Sequence, residues 1–254
     1  MNQKSLISSR ELKHSLWVVI ILTLIFAFND GRDTFMWGYW FGNFFSVLIL
    51  VAITILAHMI GAKLAANKLG QEAELEIVSA RGIKFNILGA RIDEKFNWNI
   101  FGFKIRYIPF GAIIGLLFTL MSYGTFYLTA VSTIVVNKIP RIGKGFSIYE
   151  NKEALIYFWA LVANLIMVVF FNSINVRMGV VINSYFVLWN LLPMPGLLGS
   201  KIFFNNKTLY VFFLVFVIFF LLFVTKINLI LLIIFAAIIA FLIMMLWFFK
   251  KEYK

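Results

Sequence analysis

Apolar stretches of helical length, separated by short polar segments, make up most of the chain. Six of them run over residues 16–28, 36–66, 154–171, 179–192, 209–225 and 227–249. A helix that crosses a bilayer needs about 20 mainly apolar residues, and charged side chains at its ends can extend towards the interface. We therefore predict an all-α polytopic membrane protein with six transmembrane helices.

Residues 71–111 follow a different pattern, in which apolar and polar side chains alternate. The alternation is clear at Ile83, Phe85 and Ile87, and it recurs over residues 96–100 and 103–107. A period of two is typical of short strands that are buried on one side. This segment is therefore predicted to form β-hairpins that build a small β-sheet at the membrane surface.

Residues 112–136 are long enough to cross a membrane, but small and polar residues interrupt them at 121–125. We interpret the segment as a re-entrant hairpin, which enters the bilayer and returns to the side from which it came. Such a hairpin requires protein or water to cover its irregular backbone. The alternative is a full crossing, which would move every later loop to the opposite side.

The distribution of positive charge separates these two topologies. The chain has 23 Lys and Arg residues and a net charge of +12. With a re-entrant hairpin, only Arg32, Arg177 and Lys226 lie outside and the other twenty lie inside. A full crossing would make the distribution about even, whereas membrane proteins concentrate Lys and Arg in cytoplasmic loops. We therefore expect a multi-pass protein of the cell membrane with both termini in the cytoplasm, and the charge indicates no nucleic-acid partner.

Composition narrows the possible chemistry. Hydrophobic residues make up 62% of the chain, compared with about 45–50% in soluble domains. The chain contains no cysteine, which excludes disulfides, thiolate metal sites and cysteine nucleophiles.

A histidine inside the second apolar stretch is the first candidate for chemistry, because ionisable groups in a membrane span are costly and mark functional sites. His58 is followed by Met59, Gly61 and Ala62. The frame resembles the His-Glu-x-x-His motif of the site-2 protease family of intramembrane zinc metalloproteases. In this frame His58 matches the first histidine, while Met59 and Ala62 stand at the glutamate and the second histidine.

A later segment resembles the second motif of the same family, Asn-x-x-Pro-x-Pro-x-x-Asp-Gly. Asn190, Pro193, Pro195 and Gly199 match it, whereas Leu198 replaces the aspartate.

A weaker fragment at residues 159–165 resembles the family's Gly-Pro-x-x-Asn helix. Asn164 matches the asparagine, while Ala160 and Leu161 replace Gly-Pro. The resemblance covers about residues 47–204.

In the family, the two histidines and the aspartate bind zinc, and the glutamate takes a proton from the bound water. A catalytic zinc needs about three protein ligands. His58 is the one remaining ligand here, because Met59, Ala62 and Leu198 replace the other catalytic and metal-binding residues. The resemblance therefore implies that no metal and no other cofactor is bound.

Substrate-binding residues are also implied by the resemblance. In active relatives the asparagines that match Asn164 and Asn190 help to hold substrate near the zinc, and Pro193, Pro195 and Gly199 belong to the same segment.

These residues favour a pseudoprotease that binds transmembrane segments of other membrane proteins or regulates an active relative, with the lipid bilayer as its surroundings. One alternative is an active zinc metalloprotease with a different ligand set. Another is a small transporter or channel, which is disfavoured because no charged residue apart from His58 lines the spans. The sequence indicates no particular oligomeric state.

The same residues could instead have purely structural roles. His58 could bond a backbone carbonyl or Asn190, and the asparagines could join helices. The strands could pack on lipid headgroups or accept an unwound substrate as an added strand.

Overall fold

The protein is mostly helical. Its structure, a computed structural model, describes residues 7–32, 34–79, 82–87, 90–95, 98–100, 103–105, 108–137 and 146–252. The helices are α1 (Ser9–Ala27), α2 (Trp37–Leu69), α3 (Phe110–Met121), α4 (Phe146–Ser173), α5 (Arg177–Leu191), α6 (Leu198–Asn205), α7 (Lys207–Phe223) and α8 (Leu229–Glu252). The strands are β1 (Glu72–Ile77), β2 (Gly82–Ile87), β3 (Ala90–Lys95), β4 (Trp98–Ile100), β5 (Phe103–Ile105) and β6 (Ser132–Asn137).

Three described helices are long and apolar enough to cross a membrane, as judged from length and composition. They contain the stretches Trp37–Leu69, Glu150–Ser173 and Leu229–Lys250. This agrees with a membrane protein, but the described helices do not support six spans. α5 has 15 residues and α7 has 17, about 22 and 25 Å of helix against a hydrocarbon core of about 30 Å. The predicted stretches 179–192 and 209–225 are themselves this short, and the helices that form there are not much longer.

α1, α2, α4 and α5 pack with alternating directions. Nζ of Lys63, late in α2, lies 2.6 Å from a carboxylate oxygen of Glu11, early in α1, so these two helices are antiparallel. α4 runs antiparallel to α2, because Lys152 near its start donates to the carbonyl of Leu69 at the end of α2. A three-residue turn then reverses the chain into α5, with Asn175 in the left-handed region. α5 is therefore parallel to α2.

The principal sheet is a long-range pairing. β1 pairs antiparallel with β6, in a register from Glu72 opposite Asn137 to Ile77 opposite Ser132. The sequence had suggested hairpins confined to residues 71–111, which is wrong for β1, because its partner comes after α3. The pairs β2–β3 and β4–β5 are antiparallel and local.

The segment between β1 and β6 turns back on itself. α3 ends at Met121, and the chain reverses at Tyr123 and Gly124, which both have positive φ. Val78 holds both ends of the segment: its N–H donates to the carbonyl of Val131 at 2.8 Å, and its carbonyl accepts from the N–H of Gly111 at 3.3 Å. The segment therefore leaves and returns at one end of the bundle.

The returning limb differs from the prediction of a hairpin over residues 112–136. It passes through a short extended stretch and ends in β6, because Thr133, Ile134, Val135 and Val136 are β-branched residues that favour strands.

Side chains cover both edges of the β1–β6 sheet. On the β1 edge, the N–H of Leu75 donates to Glu11 at 3.3 Å and the N–H of Ile77 donates to Nδ1 of His14 at 3.2 Å. On the β6 edge, Nζ of Lys201 donates to the carbonyl of Ile134 at 2.6 Å. Backbone groups that an added strand would need are therefore already bonded at these three positions.

Candidate functional site

His58 is fully buried where α2 meets α4 and α5. Its Nδ1 atom lies 2.7 Å from Oδ1 of Asn164 and 3.1 Å from the carbonyl oxygen of Ala160, both on α4. Since both neighbours are acceptors, Nδ1 carries the hydrogen of the neutral ring. The edge of the ring meets Phe186 of α5, with 5.0 Å between the ring centres.

Asn164 connects His58 to a second polar layer. Its Nδ2 donates to the carbonyl oxygen of Thr54 at 3.0 Å and to Oδ1 of Asn183 at 3.2 Å. The carbonyl can only accept, and this fixes which end of the Asn164 amide is nitrogen. Both amide hydrogens and the oxygen of Asn164 are therefore used inside the core.

Asn183 completes the network. Its Nδ2 donates to Oγ1 of Thr54 at 3.0 Å and to the carbonyl of Gly179 at 2.9 Å, and the Thr54 hydroxyl donates to the carbonyl of Leu50 at 2.9 Å. Together, His58, Thr54, Asn164 and Asn183 form a buried network that joins α2, α4 and α5. We call these four residues the polar core.

The polar core agrees only partly with the sequence reasoning. A backbone carbonyl was expected beside His58, and Ala160 supplies it, whereas the other expected partner, Asn190, bonds within its own helix to the carbonyl of Phe186. Thr54 and Asn183 were not singled out. Helical spacing could have indicated both, because Thr54 precedes His58 by one turn and Asn183 precedes Asn190 by two turns on one face.

Small residues allow α2 and α4 to approach each other beside the polar core. A Cβ atom at Gly61 would lie 2.7 Å from Cβ of Ala163 and 2.7 Å from the carbonyl oxygen of Trp159. Close approach through small residues is a common way for membrane helices to associate. It also brings the carbonyl of Ala160 within reach of the His58 ring.

The donor set at this position does not fit a zinc ion. Met59, Ala62 and Leu198 are buried in one apolar cluster and offer no nitrogen, carboxylate or thiolate ligand. Within the described residues there is no group of three or more His, Cys, Asp or Glu side chains that could hold a metal. His58 contributes one free atom, Nε2, which is buried and has no hydrogen-bond partner.

The Pro-Gly segment between α5 and α6 divides into an exposed and a buried part. Pro193 and Pro195 are exposed, while Gly199 is buried against the backbone of Leu191 so tightly that a Cβ atom would overlap its carbonyl group. Asn190 is buried at the end of α5, and its Oδ1 has no hydrogen-bond partner.

A groove of about 420 Å³ lies between this segment and the base of the 111–130 hairpin. Pro195 and Met194 form one wall and Gly111 forms the other, with Val78 and Trp189 also contributing. The groove is mainly apolar, and Met194 is half exposed. Of the five residues that the resemblance associates with substrate, only Pro195 lines the groove.

Lys201 joins α6 to the sheet. Its Nζ donates to Oγ1 of Thr133 at 2.8 Å and to the carbonyl of Ile134, and it lies 5.3 Å from the ring centre of Tyr157. Burial lowers the pKa of the Lys201 amine from its usual 10.5 to about 8, and the carboxylates of Glu76 and Glu153 act in the opposite direction. The sequence had given no sign that this lysine is buried.

No family model, no curated protein and no solved structure matches this chain.

Proposed function

We propose that the chain is a site-2-protease-like membrane protein that does not cleave peptide bonds, and that it binds transmembrane segments of other membrane proteins as a regulator or adaptor. One observation carries the proposal. His58 of the first motif fragment bonds to Asn164 of the third fragment, and Met59, Ala62 and Leu198 are all buried in the hydrophobic core.

The packing around His58 explains why the proposed protein is inert. Nδ1 is committed to Ala160 and Asn164, and the positions that match the family's glutamate, second histidine and aspartate hold a thioether, a methyl group and an isobutyl group. None of these groups can bind zinc together with His58, and none can take a proton from water. Replacement of charged ligands by apolar residues also removes the cost of burying charge in the membrane.

The groove beside the Pro-Gly segment is the proposed place for a partner segment. It opens between the hairpin and the α5–α6 connection, and its lining is mainly apolar. Met194, exposed at its rim, has a flexible side chain that adapts to different apolar partners. The partner would be a transmembrane helix or the end of one.

The finer membrane topology is part of the proposal. We propose six crossings and a re-entrant 111–130 segment, with both termini in the cytoplasm of a cell. The direction of the helices supports this, because Arg10, Lys63 and Lys201 lie at the sheet end of the bundle and Arg177 begins α5 at the opposite end. α5 and α7 would cross where neighbouring helices shield them or where the bilayer is thin.

A reconstituted cleavage and binding assay tests the proposal. The full chain and a single-pass model substrate are placed in proteoliposomes, with and without a zinc chelator, and a photo-crosslinking residue replaces Met194. We expect no cleavage and we expect crosslinks to the substrate helix. Leu246 on α8 is exposed and does not line the groove, and a crosslinker there serves as the control.

Cleavage that is lost with chelator and with His58→Ala would refute the inert assignment. Equal crosslinking from positions 194 and 246 would refute the groove as the binding place.

A further inference from the structure

A second pocket lies at the start of α1, away from the polar core. It has a volume of about 330 Å³, and its lining includes Arg10, Lys13, His14, Trp17 and Ile77. Four of these residues come from two successive turns of α1 and lie on one face, since positions 10, 13, 14 and 17 are three or four residues apart. All four can donate hydrogen bonds through a side-chain nitrogen.

His14 is held so that it presents a donor to its surroundings. Its Nδ1 accepts the hydrogen of the Ile77 N–H at 3.2 Å. The ring hydrogen must then be on Nε2, and the ring donates from that atom. The strand β1 thereby fixes both the tautomer and the orientation of the imidazole.

Arg10 and Lys13 supply positive charge. Nη2 of Arg10 lies 2.7 Å from a carboxylate oxygen of Glu76, which leaves its other guanidinium donors available. Lys13 is exposed and has no acidic partner within the described residues. The acidic residue between them, Glu11, points away: it is buried and pairs with Lys63.

The pocket is also placed at the level of lipid headgroups. α1 is polar up to Ser15 and apolar from Leu16, and Trp17, 60% exposed, lies at this boundary. Tryptophan prefers the membrane interface. Ile20, one turn further along the face, is exposed and continues the apolar surface on which an acyl chain can lie.

Anions are favoured there for one more reason, the positive end of the helix dipole. The pocket includes Ser9, the first residue of the 19-residue helix α1. In phospholipids, phosphate is the anion that is joined to apolar tails.

We propose that Arg10, Lys13, His14 and Trp17 form a binding site for the phosphate of an anionic phospholipid. The lipid phosphate accepts from Nε2 of His14 and pairs with Lys13 and the free side of Arg10, while its acyl chains follow Trp17 and Ile20. This site does not depend on the proposed function.

Lipid retention by the full-length protein tests the site. Native mass spectrometry after exchange into mixed micelles compares phosphatidylglycerol with phosphatidylcholine. We expect one phosphatidylglycerol per chain to be retained in preference. Lys13→Gln should weaken its binding about fivefold, which corresponds to one charge at a membrane surface. Adding His14→Asn should weaken it further, because asparagine can still accept from Ile77 but lacks Nε2–H.

Lys68→Gln is the matched control, because Lys68 is an exposed lysine in the last turn of α2 and lies outside the pocket. An equal loss with Lys68→Gln, or equal retention of the two lipids, would overturn the proposal in favour of general surface charge. Inorganic phosphate and glycerol phosphate are tested as competitors. Displacement of the lipid by either one at comparable concentration would overturn the lipid as the source of the phosphate.

Discussion

Nδ1 of His58 lies 2.7 Å from Oδ1 of Asn164, although 106 positions separate the two residues along the chain. The imidazole that could have been a metal ligand is used here as a hydrogen-bond donor between two helices. Buried polar networks of this kind stabilise a fold only when their members are satisfied. In the polar core every side-chain polar atom except Nε2 of His58 is bonded, and Asn164 is the member that bonds to the other three.

Replacement of Asn164 is therefore expected to cost much more stability than replacement of Asn190. Asn164→Ala removes bonds to His58, Thr54 and Asn183, and at about 0.6 kcal/mol for each interhelical bond the loss is about 2 kcal/mol. Asn190→Ala removes a bond within one helix and is expected to cost less than about 1 kcal/mol. Reversible unfolding in mixed micelles measures both changes in unfolding free energy. Equal losses for the two variants would contradict the central role of Asn164 in the polar core.

Because α2 and α4 are in close contact at Gly61, replacement of glycine by alanine is expected to change stability in opposite directions at Gly42 and at Gly61. Gly42→Ala should stabilise the protein by about 0.5–1 kcal/mol, because a Cβ there meets nothing within 4 Å and alanine is the better helix former. Gly61→Ala should destabilise it by about 1–3 kcal/mol through overpacking against Ala163 and Trp159. The same unfolding measurement compares the two variants, and a gain at both positions would show that the helices are not in close contact.

The proposed resemblance to the site-2 protease motifs predicts that a zinc site can be built at His58. Met59→Glu, Ala62→His and Leu198→Asp together supply the three motif residues that the proposed frame lacks. We expect the triple variant to retain about one zinc per chain, whereas the wild type retains almost none. Metal analysis of the purified protein gives the answer.

A displaced histidine is the control for the rebuilt site. It combines Met59→Glu and Leu198→Asp with Ala65→His, which stands two turns from His58 instead of one. If both folded variants bind the same amount of zinc, the alignment of His58–Ala62 with the His-Glu-x-x-His motif is wrong. Stoichiometric zinc in the wild type would contradict the inert assignment directly.

Burial of the Lys201 amine predicts that its contribution to the free energy of unfolding depends on pH. Burial lowers its folded-state pKa to about 8 from the usual 10.5, so between these values the unfolded chain binds more protons than the folded one. Stability contributed by this residue must then rise as pH increases from about 8 to 10.5. We expect the difference in unfolding free energy between wild type and Lys201→Met to change in that window.

Lys68→Met, at an exposed position, supplies the comparison for this effect. The prediction fails if the wild-type and Lys201→Met curves stay parallel across the same pH range.

Much of the helical structure follows from apolar length alone. The stretch predicted at 36–66 corresponds to α2 at Trp37–Leu69, and the break predicted at 121–125 falls where α3 ends and the chain reverses. These features are local, because they depend on hydropathy and on small or polar residues at a turn. The number of crossings is not local, since a helix as short as α5 or α7 can cross only where its neighbours or a thin bilayer accommodate it.

Long-range pairing could not be predicted in the same way. Glu72–Ile77 alternates charged and apolar residues and is readable as a strand, but nothing near it in sequence identifies β6 as the partner. Asn183 likewise stands in an apolar helix without a motif; its spacing from Asn190 puts both on one face, but its partners become known only from the packing of α5 against α2 and α4. Sequence motifs indicated His58 and Asn164, and the structure supplied Thr54 and Asn183.

The covering of the β1 edge has a consequence for biosynthesis. α1 leaves the ribosome before β1, and Glu11 and His14 can bond to the backbone of Leu75 and Ile77 as soon as β1 emerges. β6 is translated only after the 111–130 segment has been made. Side chains of α1 would thus cover one edge of β1 before β6 has been synthesised. This covering limits pairing of β1 with other chains during membrane insertion.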